Sequence, residues 1–257
     1  MKIKCKYCKQ PCFDIKENKK TDNPKTFIVD PGHGIYRDEE NGYIYQREEY
    51  DNIREDKITI KVAKYLINLL KKENHNIYPT RNINSNEIGE SGKKKKYECS
   101  YLYLKDKRVV PNKITPWAKR GNYNRDVDIR SKYVNFVNNK IEPVDLVISL
   151  HFNAAPKLNT ARGCEILYYK SNNKTKKISR NILNNTIKYT GVENRGVKGK
   201  INYSILKDTV VNSIIWEGAF FNSEYDRNKF LKDPEYYKKA ARGIFEGINK
   251  SIKEGLI

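Results

Sequence analysis

The chain of 257 residues is poor in several features whose scarcity excludes whole classes of protein. No stretch approaches the roughly 18 consecutive apolar residues that a membrane-spanning helix needs. The first residues are polar and basic and lack the apolar segment of a signal peptide. Its five cysteines are an odd number, which argues against a disulfide framework. We therefore expect a globular protein without a membrane span, stabilised by its core and not by disulfides.

Positive charge is what the chain has in excess. Lys and Arg number 51 against 31 Asp and Glu, so the formal net charge is +20. Such a charge favours a polyanionic partner, which is nucleic acid, an anionic membrane surface or an anionic cell-wall polymer. No nucleic-acid-binding motif of defined spacing is present, so nucleic acid is the less favoured partner. Hydrophobic residues make up 38% of the chain, enough for a core, and full disorder is excluded.

The N-terminal half predicts an arm followed by a β-α-β unit. Residues 1–25 form a Cys- and Lys-rich arm, and the remaining residues, 26–257, form one domain. Residues 26–30 read as a buried strand, and apolar positions spaced by three or four predict a helix over 56–74. A second strand follows at 76–81, and a helical crossover makes the two strands parallel neighbours.

The remainder alternates between helices and strands after one interruption. Residues 35–54 read as a loop, and the polar, tyrosine-rich residues 84–128 read as a long insertion or lid. Further elements are predicted as a helix around 129–137, strands at 145–150, 164–169 and 212–216, a helix at 175–189, and a last helix capped by Asp233 and Pro234. The alternation predicts an α/β fold, with a mostly parallel or mixed central sheet flanked by helices in a single domain.

Two of the three histidines share the same context. His33 and His151 each follow an apolar strand and begin a turn, whereas His75 follows a helix and is expected at the surface. The carboxyl ends of parallel strands meet at one edge of a sheet, where ligand sites collect. We therefore predict that His33 and His151 belong to one metal site.

Carboxylates near the same edge complete the predicted site. A catalytic zinc ion usually has three protein ligands and one open position. Glu55, in the first turn of its helix, is the expected third ligand, although the helix dipole alone also favours a Glu there. Glu48 and Glu49 are alternatives. Glu217, which ends a buried strand and precedes Gly218, is expected at the same rim as a general base.

The N-terminal cysteines raise the question of a second zinc ion. Cys5, Cys8 and Cys12 have the spacing of a zinc knuckle, but a structural site needs four ligands. The fourth would have to be Cys99 or Cys164, both distant in sequence. Reduced thiols are the favoured interpretation.

Four segments together match a known family in order. They are residues 28–34 around His33, Glu55 with its helix, Arg130 with residues 149–153, and residues 216–222 around Glu217. These segments resemble the zinc-dependent N-acetylmuramoyl-L-alanine amidases of the family-3 type, which cleave peptidoglycan. The resemblance covers about residues 26–252 outside the insertion.

The resemblance implies a reaction and a role for each site residue. His33, Glu55 and His151 would bind one catalytic zinc ion, and Glu217 would act as base and then as proton donor. The bond cleaved would join the lactyl group of N-acetylmuramic acid to L-alanine. One departure concerns spacing: the segment between His33 and Glu55 is longer than the family leads us to expect, which keeps Glu48 and Glu49 open as ligands.

The resemblance also implies supporting residues, partners and a location. Asn153 would hold His151 or its loop, and Arg130 would support the site or bind substrate. The partners would be peptidoglycan and anionic cell-wall polymers. With no signal peptide visible, the chain would stay cytoplasmic until lysis releases it, as a phage endolysin or an autolysin. Alternatives are another zinc peptidase or deacetylase on the same scaffold and, less favoured, a basic nucleic-acid binder.

Overall fold

A six-stranded sheet with helices on both faces forms the centre of the fold. The structure is a computed structural model that describes residues 23–38, 42–107 and 123–257. The strands are β1 (Thr26–Pro31), β2 (Ile35–Asp38), β3 (Gly42–Tyr45), β4 (Glu49–Tyr50), β5 (Ile53–Arg54), β6 (Asn76–Pro79), β7 (Leu146–Asn153), β8 (Cys164–Tyr169), β9 (Asn194–Lys200) and β10 (Ser213–Phe220). The helices are α1 (Glu55–Lys72), α2 (Ser100–Lys107), α3 (Tyr123–Lys140), α4 (Asn173–Thr190), α5 (Ser204–Lys207), α6 (Glu224–Asp226) and α7 (Pro234–Lys253).

The sheet is mixed and has the order β6-β1-β7-β10-β8-β9. Strands β6, β1, β7 and β10 are parallel neighbours, β8 is antiparallel to β10, and β9 is parallel to β8. The carboxyl ends of β1, β7 and β10 therefore share one edge with the amino ends of β8 and β9. The predicted fold class is confirmed, including the parallel β1-α1-β6 unit.

The alternation of side chains along each strand builds two cores. On β1, Phe27 and Val29 face helices α1, α4 and α7, while Ile28 faces α2, α3 and α5. Helix α7 packs closely on α4 because Gly247 has no side chain. A Cβ at this position would lie 2.3 Å from Ile182 Cα. Trp216 is fully buried under these helices and donates a hydrogen bond to Thr186 Oγ1. The two helical layers fix the sheet edge from both sides.

The final helix begins where the sequence predicted. Asp233 caps it, its side chain accepting a hydrogen bond from the backbone of Glu235, and Pro234 occupies the first turn. The cap satisfies an N–H group that has no partner inside the helix.

Several expectations were wrong in detail. The segment 35–54 is not a plain loop but contains two short antiparallel pairs, β2 with β3 and β4 with β5. Strand β9, at the sheet edge, was not predicted. His75 is buried and not at the surface: its Nδ1 accepts a hydrogen bond from the Lys25 backbone and its ring packs edge-on against Phe27.

Part of the sequence prediction lies outside the described residues. The arm with Cys5, Cys8 and Cys12 belongs there, as does the 108–122 part of the predicted insertion, so the reduced thiols and the lid stay predictions. The described part of the insertion contains a turn of 3-10 helix at Lys95–Tyr97 and helix α2, and its end belongs to α3. None of the helices in the described ranges has the length and apolar character required to span a membrane.

Candidate metal centre

The loop after β1 presents His33 in a constrained backbone. His33 has a positive φ of 59°, which is uncommon for a residue with a side chain, and Gly34 follows at φ 135°. A Cβ at Gly34 would lie 2.7 Å from the Cys99 backbone, so only glycine fits. The backbone N–H of Gly32 bonds to Leu150 O at 2.8 Å and joins the loop to β7. The loop therefore holds the His33 ring against the end of the neighbouring strand.

Three predicted ligands converge on one point. His33 Nε2 lies 3.0 Å from Glu55 Oε2, His151 Nδ1 lies 3.0 Å from Glu55 Oε1, and the two ring nitrogens are 3.1 Å apart. Ligand atoms around a tetrahedral zinc ion with bonds of about 2.0–2.1 Å are about 3.3 Å apart. Two imidazoles and one carboxylate at these separations fit a catalytic zinc ion, whose site keeps a fourth position for water or substrate.

The charges of the three groups are strongly coupled. Burial alone would raise the pKa of Glu55, but the two imidazoles outweigh it and hold the pKa well below its usual range. Burial lowers the pKa of His33. The backbone N–H of Phe152 also donates to Glu55 Oε1 at 3.0 Å. Glu55 is therefore an anionic candidate ligand and His33 a neutral one, as a metal ion requires. Burial alone would lower the pKa of His151, but Glu55 outweighs it and raises the pKa, so a metal ion would have to displace a proton from this ring.

Glu217 lies beside the three ligands on β10. In the parallel register of β10 and β7 it is paired with His151, and it lines the same cavity of about 320 Å³. Its Oε2 atom is buried and has no hydrogen-bond partner in the described ranges. Burial raises the pKa of Glu217 to about 8. The carboxyl group can thus exchange a proton near neutral pH, which is what a general acid and base needs.

Comparison with known proteins gives this geometry a context. Residues 27–250 match the model of a family described as N-acetylmuramoyl-L-alanine amidase. The chain belongs to this family. It is therefore a peptidoglycan amidase, and the predicted activity is confirmed at this level. A search of curated proteins found no match.

Solved structures of amidases share the fold. An N-acetylmuramoyl-L-alanine amidase from Clostridium difficile 630 has 21% identity and a TM-score of 0.62, covering 90% of this chain and 98% of that one. The CwlD amidase from Clostridioides difficile, solved in complex with the GerS lipoprotein, has 22% identity and a TM-score of 0.62, with coverage of 90% and 99%. The catalytic domain of the CD27L endolysin, which targets Clostridia Difficile, has 21% identity and a TM-score of 0.61, with coverage of 89% and 98%.

Arg130 supports the histidine loop of this amidase from behind. Its guanidinium donates to Pro31 O and His33 O, both at 2.9 Å, and to Asp126 Oδ2 at 2.8 Å, and it pairs with Asp30. Arg130 is buried among these groups. Of the two roles given to it from the sequence, the geometry matches support of the site.

Arg81 is a second buried arginine at the same loop, and the sequence analysis missed it. Its Nη1 donates to Gly32 O at 2.7 Å, its Nε to Glu98 O at 2.9 Å, and its Nη2 to Lys96 O at 3.2 Å. The guanidinium thus ties the histidine loop to the segment before α2. The sequence did contain a signal for this contact. Arg81 ends the predicted strand 76–81, and a strand parallel to the one before His33 brings its end to the same edge of the sheet.

Arg47 also escaped the sequence analysis. Its Nε lies 3.4 Å from His33 Nε2 and 3.5 Å from Glu55 Oε2. It belongs to the long segment between His33 and Glu55, and no motif marks it. Its charge adds to the effect of burial in lowering the pKa of His33.

The contacts of Asn153, Glu48 and Glu49, the other residues predicted for the site, are with groups other than the two histidines. Asn153 donates to Glu165 Oε1 at 3.1 Å and accepts from the Ala154 backbone at 2.9 Å, so its contacts order the loop and not the His151 ring. Glu48 accepts a hydrogen bond from Tyr50, and Glu49 pairs with Arg54 and Lys57. Neither rival carboxylate is therefore grouped with the two histidines.

We expect Gly32→Ala to damage the metal centre. A Cβ at Gly32 would lie 2.4 Å from His151 Cε1 and 2.7 Å from its Nε2, so the ring has to turn away. Displacing a ligand in this way should weaken zinc binding by about 10- to 100-fold. Competition with a chromogenic chelator measures the affinity. Gly199→Ala is the control, because a Cβ there meets Lys170 at 3.1 Å or more. Equal zinc affinity of the Gly32 variant and the wild type would contradict the assigned crowding.

Proposed function

We propose that this amidase uses one zinc ion, held by His33, Glu55 and His151, to hydrolyse the bond between the lactyl carbonyl of N-acetylmuramic acid and L-alanine. The supporting observation is the convergence of the three ligand atoms, all within 4.8 Å of one another, in the cavity that also contains Glu217. A bound zinc ion would supply a Lewis acid and lower the pKa of a water molecule from about 15.7 to about 7.

Glu217 moves the protons in this proposal. Its carboxylate accepts a proton from the attacking water and then delivers it to the amine nitrogen of L-alanine, so that the amide bond breaks with a neutral leaving group. Burial keeps the carboxyl group poorly solvated, which makes it a stronger base once a substrate proton is within reach. The Oε2 atom of Glu217, which has no partner among the described residues, is left open for the reacting molecule.

The basic surface supports a proposed partner. The net charge of +20 attracts anionic cell-wall polymers, which lie alongside peptidoglycan, through long-range interactions that salt screens. Release by lysis, as for an endolysin or an autolysin, stays a prediction.

Purified sacculi test the reaction and the metal together. We expect new L-alanine amino termini and free lactyl carboxylates, with glycan strands intact. Removal of the metal with a chelator should abolish the activity, and zinc should restore it. Other products would indicate the alternatives: amino termini elsewhere in the stem peptide a peptidase, and released acetate a deacetylase. Metal analysis should find one zinc ion per chain, and two would assign the second to Cys5, Cys8 and Cys12.

A further inference from the structure

A second depression lies beside the metal centre at the same edge of the sheet. It is an open groove of about 890 Å³. Its walls come from the segment after β7, the amino end of β9 and the segment after β10. These parts meet because β8 and β9 run opposite to the other strands. The groove is therefore a continuation of the rim that carries His151 and Glu217.

Glu165 connects the metal cavity to this groove. It is paired with Glu217 across the antiparallel strands β8 and β10. Asn153, which lines the metal cavity, donates to Glu165 Oε1 at 3.1 Å. Arg195, which lines the groove, donates through Nε to Glu165 Oε2 at 2.8 Å, and Lys198 Nζ donates to the same oxygen at 2.5 Å. Two cations share one buried carboxylate, so this cluster keeps a positive charge.

Arg195 is fixed in place with part of its guanidinium unused. Its Nε is bound to Glu165, its Nη1 donates to Arg162 O at 3.3 Å, and its plane lies over the Phe220 ring at 4.8 Å. Its Nη2 has no hydrogen-bond partner in the part of the chain that the structure describes, and the side chain is 30% exposed. A rigid guanidinium with an open donor is suited to a planar anion such as a carboxylate.

The charge of the groove favours a single carboxylate over a polyanion. Glu193 and Glu224 also line it, and Glu193 already neutralises Arg162 through a contact of 2.7 Å. A polyphosphate bound along the groove would be repelled by Glu193 and Glu224. A ligand with a single carboxylate, bound at Arg195, would avoid most of this repulsion. Like charges held near each other are unfavourable, so the groove discriminates against highly charged polymers.

The distance between Glu217 and Arg195 indicates which residue of the stem peptide would reach Arg195. Neighbouring strands lie about 4.8 Å apart, so β9 is about 10 Å from β10, and the Arg195 side chain spans part of that gap back to Glu165. An extended peptide advances at most about 3.6 Å per residue, so about 7 Å separates the cleaved amide from the second residue of the stem. In peptidoglycan that residue is D-glutamate, which is linked through its side chain and leaves its α-carboxyl group free or amidated.

We propose that Arg195, assisted by Lys198, binds the free α-carboxylate of this D-glutamate and makes the enzyme selective for stems that are not amidated there. The proposal rests on the proposed function, since it assumes cleavage before L-alanine. Glu165 serves as the positioning residue that holds Arg195 at the groove and Lys198 beside it.

A comparison of two substrates tests the selectivity. The probes are N-acetylmuramoyl peptides that differ only in D-glutamate or D-isoglutamine at the second position. Because a hydrogen bond to a charged group is worth more than one to a neutral group, the wild type should prefer the carboxylate by about 10-fold in kcat/KM. Arg195→Gln should remove this preference, mainly by raising KM for the carboxylate peptide, with a smaller loss on the amidated peptide. Arg195→Lys should restore part of the preference.

Arg242→Gln is the matched control. Arg242 also pairs with a carboxylate, Glu246, and lies over a phenylalanine ring, but on α7 away from the groove. It should leave both rates unchanged. Equal loss on the two peptides in Arg195→Gln, or no loss, would overturn the proposal. Cleavage of neither peptide by the wild type would instead refute the proposed function itself, and the inference with it.

Discussion

Glu217→Gln should lose most of its turnover and keep its zinc ion. Glutamine has the same shape but cannot take up the proton of the attacking water, and positioned proton transfer contributes about 10²- to 10⁴-fold to rate. Glu217 is not one of the three grouped ligand atoms, so metal binding should not depend on its charge. Initial rates of L-alanine amino-terminus formation on sacculi, together with zinc analysis of the same sample, measure the two effects separately.

Stability measurements on this variant provide an internal check. In the metal-free protein burial raises the pKa of Glu217 from 4.5 to about 8, so between these pH values the folded state holds a proton that the unfolded chain has released. The stability of the wild type should therefore fall as pH rises through this range. The glutamine side chain does not titrate, so metal-free Glu217→Gln should lose less stability over the same range. Glu246→Gln, on the surface of α7, serves as control. Full activity of the Glu217→Gln variant would show that another group moves the proton.

The positions of the candidate ligands were predictable because the ends of buried strands can be predicted from the sequence. A run of apolar residues fixes a buried strand, parallel strands bring their carboxyl ends to one edge, and a polar side chain directly after such a run has to lie there. His33 and His151 meet for this reason even though β1 and β7 are far apart in sequence. Glu217 lies opposite His151 for the same reason. The position of Glu55 was predictable because it begins α1, the helix that returns the chain from the end of β1 to the start of β6.

What the sequence did not predict depends on contacts between distant segments. Arg81 and Arg130 both bind backbone carbonyls of the histidine loop, and a carbonyl has no residue identity that a motif could record. Burial of His75 depends on Phe27 and on the Lys25 backbone, which meet it only after β1 and β6 pair. Strand β9 has two lysines and two glycines among its seven residues, so propensity argues against it, and pairing with β8 decides its structure.

The long spacing between His33 and Glu55 is accommodated locally. The extra length folds into the β2–β3 and β4–β5 pairs and re-enters the core at Ile53, so that Glu55 still begins α1 beneath the Phe152 backbone. The extra residues between His33 and Glu55 therefore place Arg47 beside the metal centre. They leave the positions of the three candidate ligands intact. A departure from family spacing is thus weak evidence against a ligand when the extra residues can pair with one another.

His151→Ala should lose turnover as Glu217→Gln does, but it should also lose the metal itself. Removal of one of three ligands should weaken zinc binding by more than about 100-fold, the upper range seen for changes outside the ligand shell, and activity should disappear with the ion. Competition with a chelator measures the affinity. Cys5→Ser, Cys8→Ser and Cys12→Ser should be combined in the background, so that thiols in the arm do not bind the displaced zinc.

Glu48→Gln is the control that decides between the rival carboxylates. Glu48 bonds to Tyr50 and not to the histidines, so this variant should keep its zinc ion and its rate. If Glu48→Gln lost zinc while His151→Ala kept it, the ligand set would be wrong and the geometry around Glu55 would need another purpose. The three variants should therefore give three different results. His151→Ala should lose metal and turnover together, Glu217→Gln should lose turnover alone, and Glu48→Gln should lose neither. Since a general loss of folding would remove both in every variant, only the assigned roles produce all three results.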